Sequence, residues 1–356
     1  MKELYVPKIE FYITNVCNFN CTGCNRFNNI NFSGHQRWED YRATYEKWAT
    51  HLTLDMFTIL GGEPMTNPDY LDWLSGVHKL WPDAKGSFLT NGHYLTESNQ
   101  ALYDILQNSN GNTTLDIGLH NEQHAAGMLD KINKFLKGKK TIVRTPDDIK
   151  NISNFSINWV NSYNQIRDSS WPDCDTIDDW DLLPEHIRRE CELIHNFSPD
   201  IISESVKGWK ITDENGVVAT ISYENQFSQG SLIIDPGTKK LTLHQSNAIV
   251  AHSNCSFAIA KCYHFIKGKL YKCGPVALFP ELDQKFSLDL DLQDKQLIYA
   301  YKAGDIESDS IPVLQEFIKN INNLIDQCKF CPENYLSKKI FAEHGKKQFV
   351  LKRRNA

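Results

Sequence analysis

The sequence predicts an α/β protein: a parallel sheet or barrel, followed by a smaller β-rich region that ends in a helix. Two observations point there. From residue 7 to 145, short β-like runs alternate with helical patterns. From about residue 200 that alternation gives way to hairpin signals. Repeated βα units imply parallel strands and put the functional loops at the strands' C-terminal ends.

The first run, KIEFYIT, carries Ile9, Phe11 and Ile13 with Tyr12 between them, as a strand covered on both sides requires. DMFTILGG (55–62), GSFLTNG (86–92) and TTLDIGLH (113–120) are further β runs, each closing on Gly, Asn or His. NPDYLDWLSGVHKLW predicts a helix with Asn67 as N-cap and Pro68 at the first helical position. TESNQALYDILQN starts at Thr96 with Ser98 in its first turn. NEQHAAGMLDKINKFLKG carries a helical stripe of Met128, Leu129, Ile132 and Phe135. In the second region, GWKITDENGVVATISYE turns at Asn215-Gly216, a strong hairpin signal. SLIIDPGTKKLTLH turns at Pro236-Gly237 and CYHFIKGKLYKC near Lys267-Gly268. SIPVLQEFIKNINNLIDQ is the closing helix and leads into CKFC. Between 146 and 200 only LPEHIRRECELI reads as helical. The division expected is a core over 1–200, a second domain over 201–335 and a tail over 336–356.

At 356 residues the chain is long enough to bury a proper core. Its net charge of −6 gives no support for a nucleic-acid surface, and the basic end KKQFVLKRRNA reads as a solvated tail. No apolar run approaches the roughly 18 residues of a membrane span, and polar residues interrupt the N-terminus too often for a secretory signal. A soluble cytoplasmic protein with no nucleic-acid or membrane partner is expected.

Ten cysteines are many for such a chain, and they cluster. Cys17, Cys21 and Cys24 form C-x3-C-x2-C directly after the first strand; Cys255, Cys262 and Cys273 lie together, as do Cys328 and Cys331; Cys174 and Cys191 stand alone and read as structural. Two clusters at opposite ends of the sequence indicate two metal sites. Three thiolates on one loop hold three irons of a cubane and leave one iron without a protein ligand. Zinc normally takes four closed ligands, for which His35 is the nearest candidate fourth.

GGEPM, Gly61 to Met65, ends the second strand, and FLTNG ends the third. Together with the cysteine loop these motifs resemble the radical S-adenosylmethionine (SAM) enzymes, by motif over residues 7–145 and in expected extent to about 200. The resemblance implies a partial (βα)6 TIM-like barrel and a 4Fe-4S cluster on Cys17, Cys21 and Cys24. The open iron would take the amino and carboxylate groups of SAM. Gly61, Gly62, Glu63 and Pro64 would meet the SAM ammonium, with glycines allowing close approach, and Thr90 and Asn91 would lie near its ribose and carboxylate. The family's usual aromatic residue before the third cysteine is Gly23 here, so adenine contacts must come from elsewhere, Phe19 or Phe27. A flavodoxin- or ferredoxin-like electron donor is implied as partner.

The second cysteine set is similar to the auxiliary-cluster domains of the Twitch and SPASM type, small hairpin-plus-helix units that follow radical SAM cores. Cys255, Cys273, Cys328 and Cys331 would ligate a second 4Fe-4S cluster, with Cys262 as a possible substitute for Cys255. No cysteine follows Cys331, so the shorter Twitch form fits better. Four cysteines in two pairs also suit structural zinc. A cluster with four protein ligands has no open iron and is suited to passing electrons.

His120, Asp116 and Glu10 are the candidate catalytic residues. His120 ends a β run, and Asp116 and Glu10 are carboxylates within strands, where they are uncommon. His244, His252 and His264 surround the second cysteine set, and Trp159, Trp171, Trp180 and Trp209 read as core. The function expected is reductive SAM cleavage followed by hydrogen abstraction, leading to oxidation of a small molecule such as a sugar, aminocyclitol or nucleotide derivative. With strand one beginning by residue 8, no peptide-recognition domain is expected before the core. Modification of a peptide or protein is the alternative, and a non-catalytic iron–sulfur or zinc-binding protein the remote one.

Overall fold

The computed structural model of the chain describes residues 2–21, 24–30, 32–119, 127–145, 208–223, 226–227, 230–235, 237–238, 240–333 and 338–339. Gly23, His120, Cys174, Cys191, Trp159, Trp171, Trp180, the helix read at LPEHIRRECELI and the basic tail lie outside those residues. The chain divides into two compact units, Met1–Lys85 with Gln226–Ala356, and Gly86–Asn225.

In the first unit β1 (Leu4–Tyr12) leads through the cysteine loop and a short 3-10 turn (Asn28–Ile30) to α1 (Trp38–His51). The helix contains no Gly or Pro, carries Glu39 and Asp40 in its first turn, and buries Trp38, Tyr45, Trp48 and Ala49. β2 (Leu52–Leu60) runs parallel to β1 with Glu10 opposite Thr58 and Tyr12 opposite Leu60. A 3-10 turn (Pro64–Thr66) and α2 (Tyr70–Leu80) follow. The helix read as starting at Asn67 therefore starts later. Asn67 serves the turn instead: its Oδ1 accepts from the Asp69 N–H (2.9 Å), and its Nδ2 donates to the carbonyls of Ile13 (2.8 Å) and Gln36 (2.9 Å).

The second unit holds β3 (Lys85–Thr90), α3 (Gln100–Asn108), β4 (Thr113–Leu119), α4 (Met128–Phe135), β5 (Lys140–Thr145), β6 (Gly208–Asp213) and β7 (Val218–Tyr223). Its strands lie in the order β3-β4-β7-β6-β5, parallel from β3 to β7 and antiparallel thereafter. The Asn215-Gly216 hairpin is present. Asp213 closes its turn by accepting from the N–H groups of Asn215 (3.0 Å) and Val217 (2.9 Å), and Gly216 takes φ 78°. β7 lies beside β4, where buried Ala219 and Ile221 pair with buried Leu115 and Ile117. The sheet thus continues past residue 200, because this apolar pairing outlasts the change in sequence pattern seen there.

The rest of the first unit comprises β8 (Gln226–Phe227), β9 (Leu232–Ile234), β10 (Leu241–Leu243), α5 (Ala248–Ser253), α6 (Ser256–Ile259), β11 (Cys262–Ile266), β12 (Lys269–Tyr271), α7 (Gly274–Phe286), α8 (Leu292–Tyr299), α9 (Ile311–Asn320), a 3-10 turn (Asp326–Phe330) and β13 (Lys338–Lys339). The hairpins read from sequence form, β9 with β10 and β11 with β12. The latter turns through Lys267 (φ 51°) and Gly268 (φ 77°). β11 does more than make a hairpin. It pairs parallel with β1, setting His264 opposite Glu10 and Phe265 opposite Phe11.

Phe265 is fully buried, with ring centroids 5.2 Å from each of Phe11, Tyr45 and Trp48. The polar ends of that aromatic group reach the β11–β12 turn, the Trp48 indole donating to the Gly268 carbonyl (2.9 Å) and the Gly268 N–H donating to the Tyr45 hydroxyl (3.2 Å). A second apolar group joins the end of the cysteine loop to the C-terminal cysteine pair: Phe27 lies 5.9 Å from Phe279 of α7, which lies 6.1 Å from Phe330 in the turn carrying Cys328. Among the described residues no helix is long and apolar enough to cross a membrane.

If the packing of β11 on β1 holds this unit together, Phe265→Ala destabilises the protein by about 3–5 kcal/mol in chemical denaturation. A loss under 1 kcal/mol would show that β11 is only peripherally attached.

Candidate metal and cofactor site

The cysteine loop leaves the C-terminal end of β1 and is held by three backbone clamps. Ile13 donates to Leu60 (2.9 Å), Gly62 to Thr14 (2.7 Å) and Glu63 to Val16 (2.7 Å), so the GGEP turn is laced to the segment entering Cys17. On the other side Asn15 donates to Gly34 (2.8 Å) and Gln36 to Ile13 (2.9 Å). The two glycines follow from this lacing. A Cβ at Gly61 would stand 2.5 Å from the Thr14 carbonyl oxygen, and one at Gly62 would overlap the Val16 carbonyl. Both glycines thus allow the chain's own backbone to approach closely here.

Glu63 is fully buried, and its Oε1 accepts from the Met65 N–H (3.0 Å), capping the 3-10 turn that Pro64 begins. Thr66 adds a hydroxyl bond to the Val16 carbonyl (3.2 Å). His35, the candidate fourth zinc ligand, is bridged to Thr14, whose Oγ1 lies 2.9 Å from its Nδ1, and burial lowers its pKa.

Phe19 and Cys21 are buried together, with the half-buried Cys17 and Cys24 packed against them; none of the three thiols is in a disulfide. The Phe19 N–H points at the Cys17 sulfur (3.4 Å), and the Cys24 sulfur is 3.5 Å from Asn28 Oδ1. Phe27, the other aromatic candidate for adenine, is wholly buried in the apolar core with φ 61°.

The second cysteine set forms a cavity. Cys255, Cys273, Cys328 and Cys331 line it with Ala251, His252, Phe257, Ala258, Lys272, Val276 and Ile325, around about 380 Å³ of space free of protein atoms, part of it open to solvent. Burial raises the Cys273 thiol pKa well above its ordinary value, and the neighbouring sulfurs raise it further. Burial likewise raises that of Cys328. Cys262 is not in this lining. It sits on β11 beside Glu10, and burial together with that carboxylate keeps its thiol protonated.

Glu10 accepts from Arg26 Nη2 at 2.5 Å and lies 3.6 Å from His264 Nδ1. Burial pushes its pKa up, but the Arg26 charge, with His264 and Lys8, outweighs this and leaves it below the usual carboxylate value. That makes Glu10 a weak base. His264 is fully buried, and burial takes its pKa down to about 3. The Arg26 guanidinium also stacks over the rings of Tyr12 (5.5 Å) and Phe257 (5.7 Å).

In the second unit Asp116 takes bonds from the hydroxyls of Ser87, Thr114 (2.9 Å) and Thr220 (2.5 Å), which tie β3, β4 and β7 together. Thr90 Oγ1 accepts from Gly92 N–H (3.0 Å) and Asn91 Oδ1 from His93 N–H (2.9 Å), shaping the turn after β3. Arg26, Phe257 and Lys272 were not read from the sequence. Their only local signal is position, two residues from Cys24, two from Cys255 and one from Cys273.

Residues 11–153 match the Radical SAM superfamily. Over that stretch the chain is similar to radical SAM domains. Among curated proteins none matches the sequence. Among solved structures the chain is similar to BtrN in complex with AdoMet and 2-DOIA, at 22% identity over 34% of this chain and 48% of that one, with a TM-score of 0.27. BtrN in an open conformation gives 21% identity over 34% and 52% of the two chains, with a TM-score of 0.25. SuiB of Streptococcus suis bound to S-adenosylmethionine gives 12% identity over 93% and 72%, with a TM-score of 0.38. The match spans about half the length of the two BtrN chains.

The radical SAM family implies a 4Fe-4S cluster and SAM, and the donor set on the loop fits: three reduced thiols gathered around one buried phenylalanine. The four-thiol cavity fits an anionic metal core as well, since Lys272 is buried in it and, among the described residues, pairs with no carboxylate. Among the described residues no three His, Cys, Asp or Glu side chains converge as ligands of a single ion do.

Gly62→Ala drives a methyl into the Val16 carbonyl and is expected to cost about 1–3 kcal/mol or more and to lower iron retention at the loop. Melting and iron assay check it, and wild-type values for both would show that the lacing tolerates a side chain. His264 also predicts a pH dependence. Its pKa is 6.5 unperturbed and about 3 when folded, so the unfolded chain takes the proton first as pH falls. Stability from this group is present above about 6.5 and is lost progressively towards pH 3. Urea titrations across that range should be shallower in pH for His264→Gln.

Proposed function

We propose that the chain is a radical SAM enzyme with a closed auxiliary iron–sulfur cluster, and that it oxidises a polar small molecule by hydrogen abstraction and loss of one further electron. The observation that carries this reading is the cavity lined by Cys255, Cys273, Cys328 and Cys331 in a chain that also bears the three-thiol loop. Cys17, Cys21 and Cys24 would hold the first cluster by three corners, leaving the fourth to SAM. The group supplies, when bound, the electron that cleaves the SAM sulfonium to a 5′-deoxyadenosyl radical.

The protein's part is positioning. The buried Glu63 fixes the GGEP turn, and the clamps from Gly62 and Glu63 hold the loop against it. The second set offers four thiols and so leaves no corner for a substrate, which suits electron transfer over substrate binding. Cys255 is the ligand we assign in preference to Cys262, because it lines the cavity and Cys262 does not.

The substrate class we infer is a hydroxyl-bearing small molecule, such as a sugar, aminocyclitol or nucleotide derivative. The reading takes as the substrate-facing surface the half-buried polar strand face of Ser87, Thr114, Asp116 and Thr220, whose groups hydrogen-bond one another. A flavodoxin- or ferredoxin-like donor would supply the reducing electron.

Anaerobic reconstitution tests this. About eight irons per chain and 5′-deoxyadenosine from SAM under a strong reductant are expected, falling to about four irons and no 5′-deoxyadenosine in Cys17→Ala/Cys21→Ala/Cys24→Ala. Zinc in place of the second cluster would remove the oxidative reading, and SAM left intact by the wild-type protein would remove the enzyme.

A further inference from the structure

Among the described residues, Lys272 is the one charged side chain in the lining of the four-cysteine cavity. It is buried, and among the described residues it has no carboxylate partner. Its Nζ donates to the backbone carbonyls of Asn323 and Asn322, the latter at 3.5 Å. Nearby cations are otherwise engaged: Arg26 with Glu10 (2.5 Å) and Lys329 with Asp294 (2.5 Å). Burial lowers the Lys272 pKa, while Cys328, Cys255, Cys273 and Cys331 act on it in the opposite sense. Lysine is almost never fully buried unless paired. Two carbonyl dipoles solvate an ammonium in part, but they do not balance its charge. Among the described residues lining the cavity, the groups able to do so are the four sulfurs.

We propose that Lys272 is the electrostatic partner of the auxiliary cluster and raises its reduction potential, making it a better acceptor for the electron that leaves the substrate radical. The proposal rests on the reading above that this cavity holds an iron–sulfur cluster.

Its physical basis is simple. Four thiolates make the cluster an anion, and reduction adds one more negative charge. A cation fixed beside it in a poorly solvated cavity therefore stabilises the reduced form more than the oxidised form. The electron comes from the substrate radical, which becomes the oxidised product on also losing a proton. The cluster gains that one electron and later passes it on, so no further oxidant is needed within the step. Lys272 neither gives nor takes a proton in this scheme; it acts only by its charge.

The test uses the full chain carrying Cys17→Ala/Cys21→Ala/Cys24→Ala, so that only the second cluster is observed. Its midpoint potential is measured by mediated dithionite titration followed by electron paramagnetic resonance, alongside iron content. Lys272→Gln and Lys272→Met are expected to hold the same iron as the background and to shift the midpoint to more negative potential. Lys272→Arg is expected to keep the midpoint near that of the background.

Unchanged midpoints in iron-loaded neutral variants would overturn the proposal. Should both neutral variants lose iron while Lys272→Arg retains it, the charge is required to hold the anionic cluster, and the electrostatic pairing stands. Loss of iron in all three variants would instead assign Lys272 to packing and overturn it. A background protein with no iron, or with zinc, in the second site would fail the underlying reading itself, a result visible before any Lys272 variant is made.

Discussion

The parallel pairing of β1 with β11 is the contact on which the chemistry of the first unit depends. It sets Phe265 against Phe11 on one side of the sheet and His264 against Glu10 on the other, between segments more than 250 positions apart. The apolar side supplies the energy, through four large aromatic rings packed within about 5.5 Å of their neighbours. The polar side spends part of it, burying Glu10, Arg26 and His264 in a group that is stable only while its charges stay paired. The cysteine loop leaves one of these strands, and Cys255 and Cys273 flank the hairpin built on the other. Both sulfur sets are thereby anchored to the same stretch of sheet.

Arg26 makes that anchoring specific. Its guanidinium answers the Glu10 carboxylate and stacks on Tyr12 at the end of β1 and on Phe257 in the wall of the four-cysteine cavity. An arginine two residues after Cys24 therefore touches both the strand that launches the first loop and the lining of the second site. A lysine could keep the charge but not the planar stacking on two rings. The same contacts change the reading of Glu10. A strand carboxylate reads as a general-base candidate in sequence; in the structure Glu10 is paired with a guanidinium that keeps it ionised.

The two sulfur sets differ in surroundings as well as in number. The N-terminal thiols lie with Phe19 on a loop whose geometry is fixed by backbone hydrogen bonds, a way of holding shape that leaves side chains out of the site. The C-terminal thiols line a partly open cavity whose wall is mostly apolar and, among the described residues, carries one ammonium, that of Lys272. An open corner needs access and an exactly placed turn; a closed cluster needs burial and charge balance.

The sequence alone was enough for the parts whose physics is local. C-x3-C-x2-C, GGEP and the strand periodicities before them are short-range patterns, and the hairpins at Asn215-Gly216 and Lys267-Gly268 are dictated by backbone conformations that few residues adopt. The resemblance to auxiliary-cluster domains offered Cys255, Cys273, Cys328 and Cys331 as one group, with Cys262 as a substitute for Cys255, and the first four line one cavity. What lay outside local patterns only the folded chain could decide. That β11 adds to the sheet of β1, and that the 208–223 hairpin extends the sheet of β4, follow from apolar faces meeting across long sequence separations. The glycines of GGEP proved to serve the chain's own backbone, and Asn67 a turn in place of a helix start, because each is fixed by its neighbour in space. Lys272 and Arg26 were invisible for the same reason: a charged residue looks solvated in sequence, and only burial without water makes its partner matter.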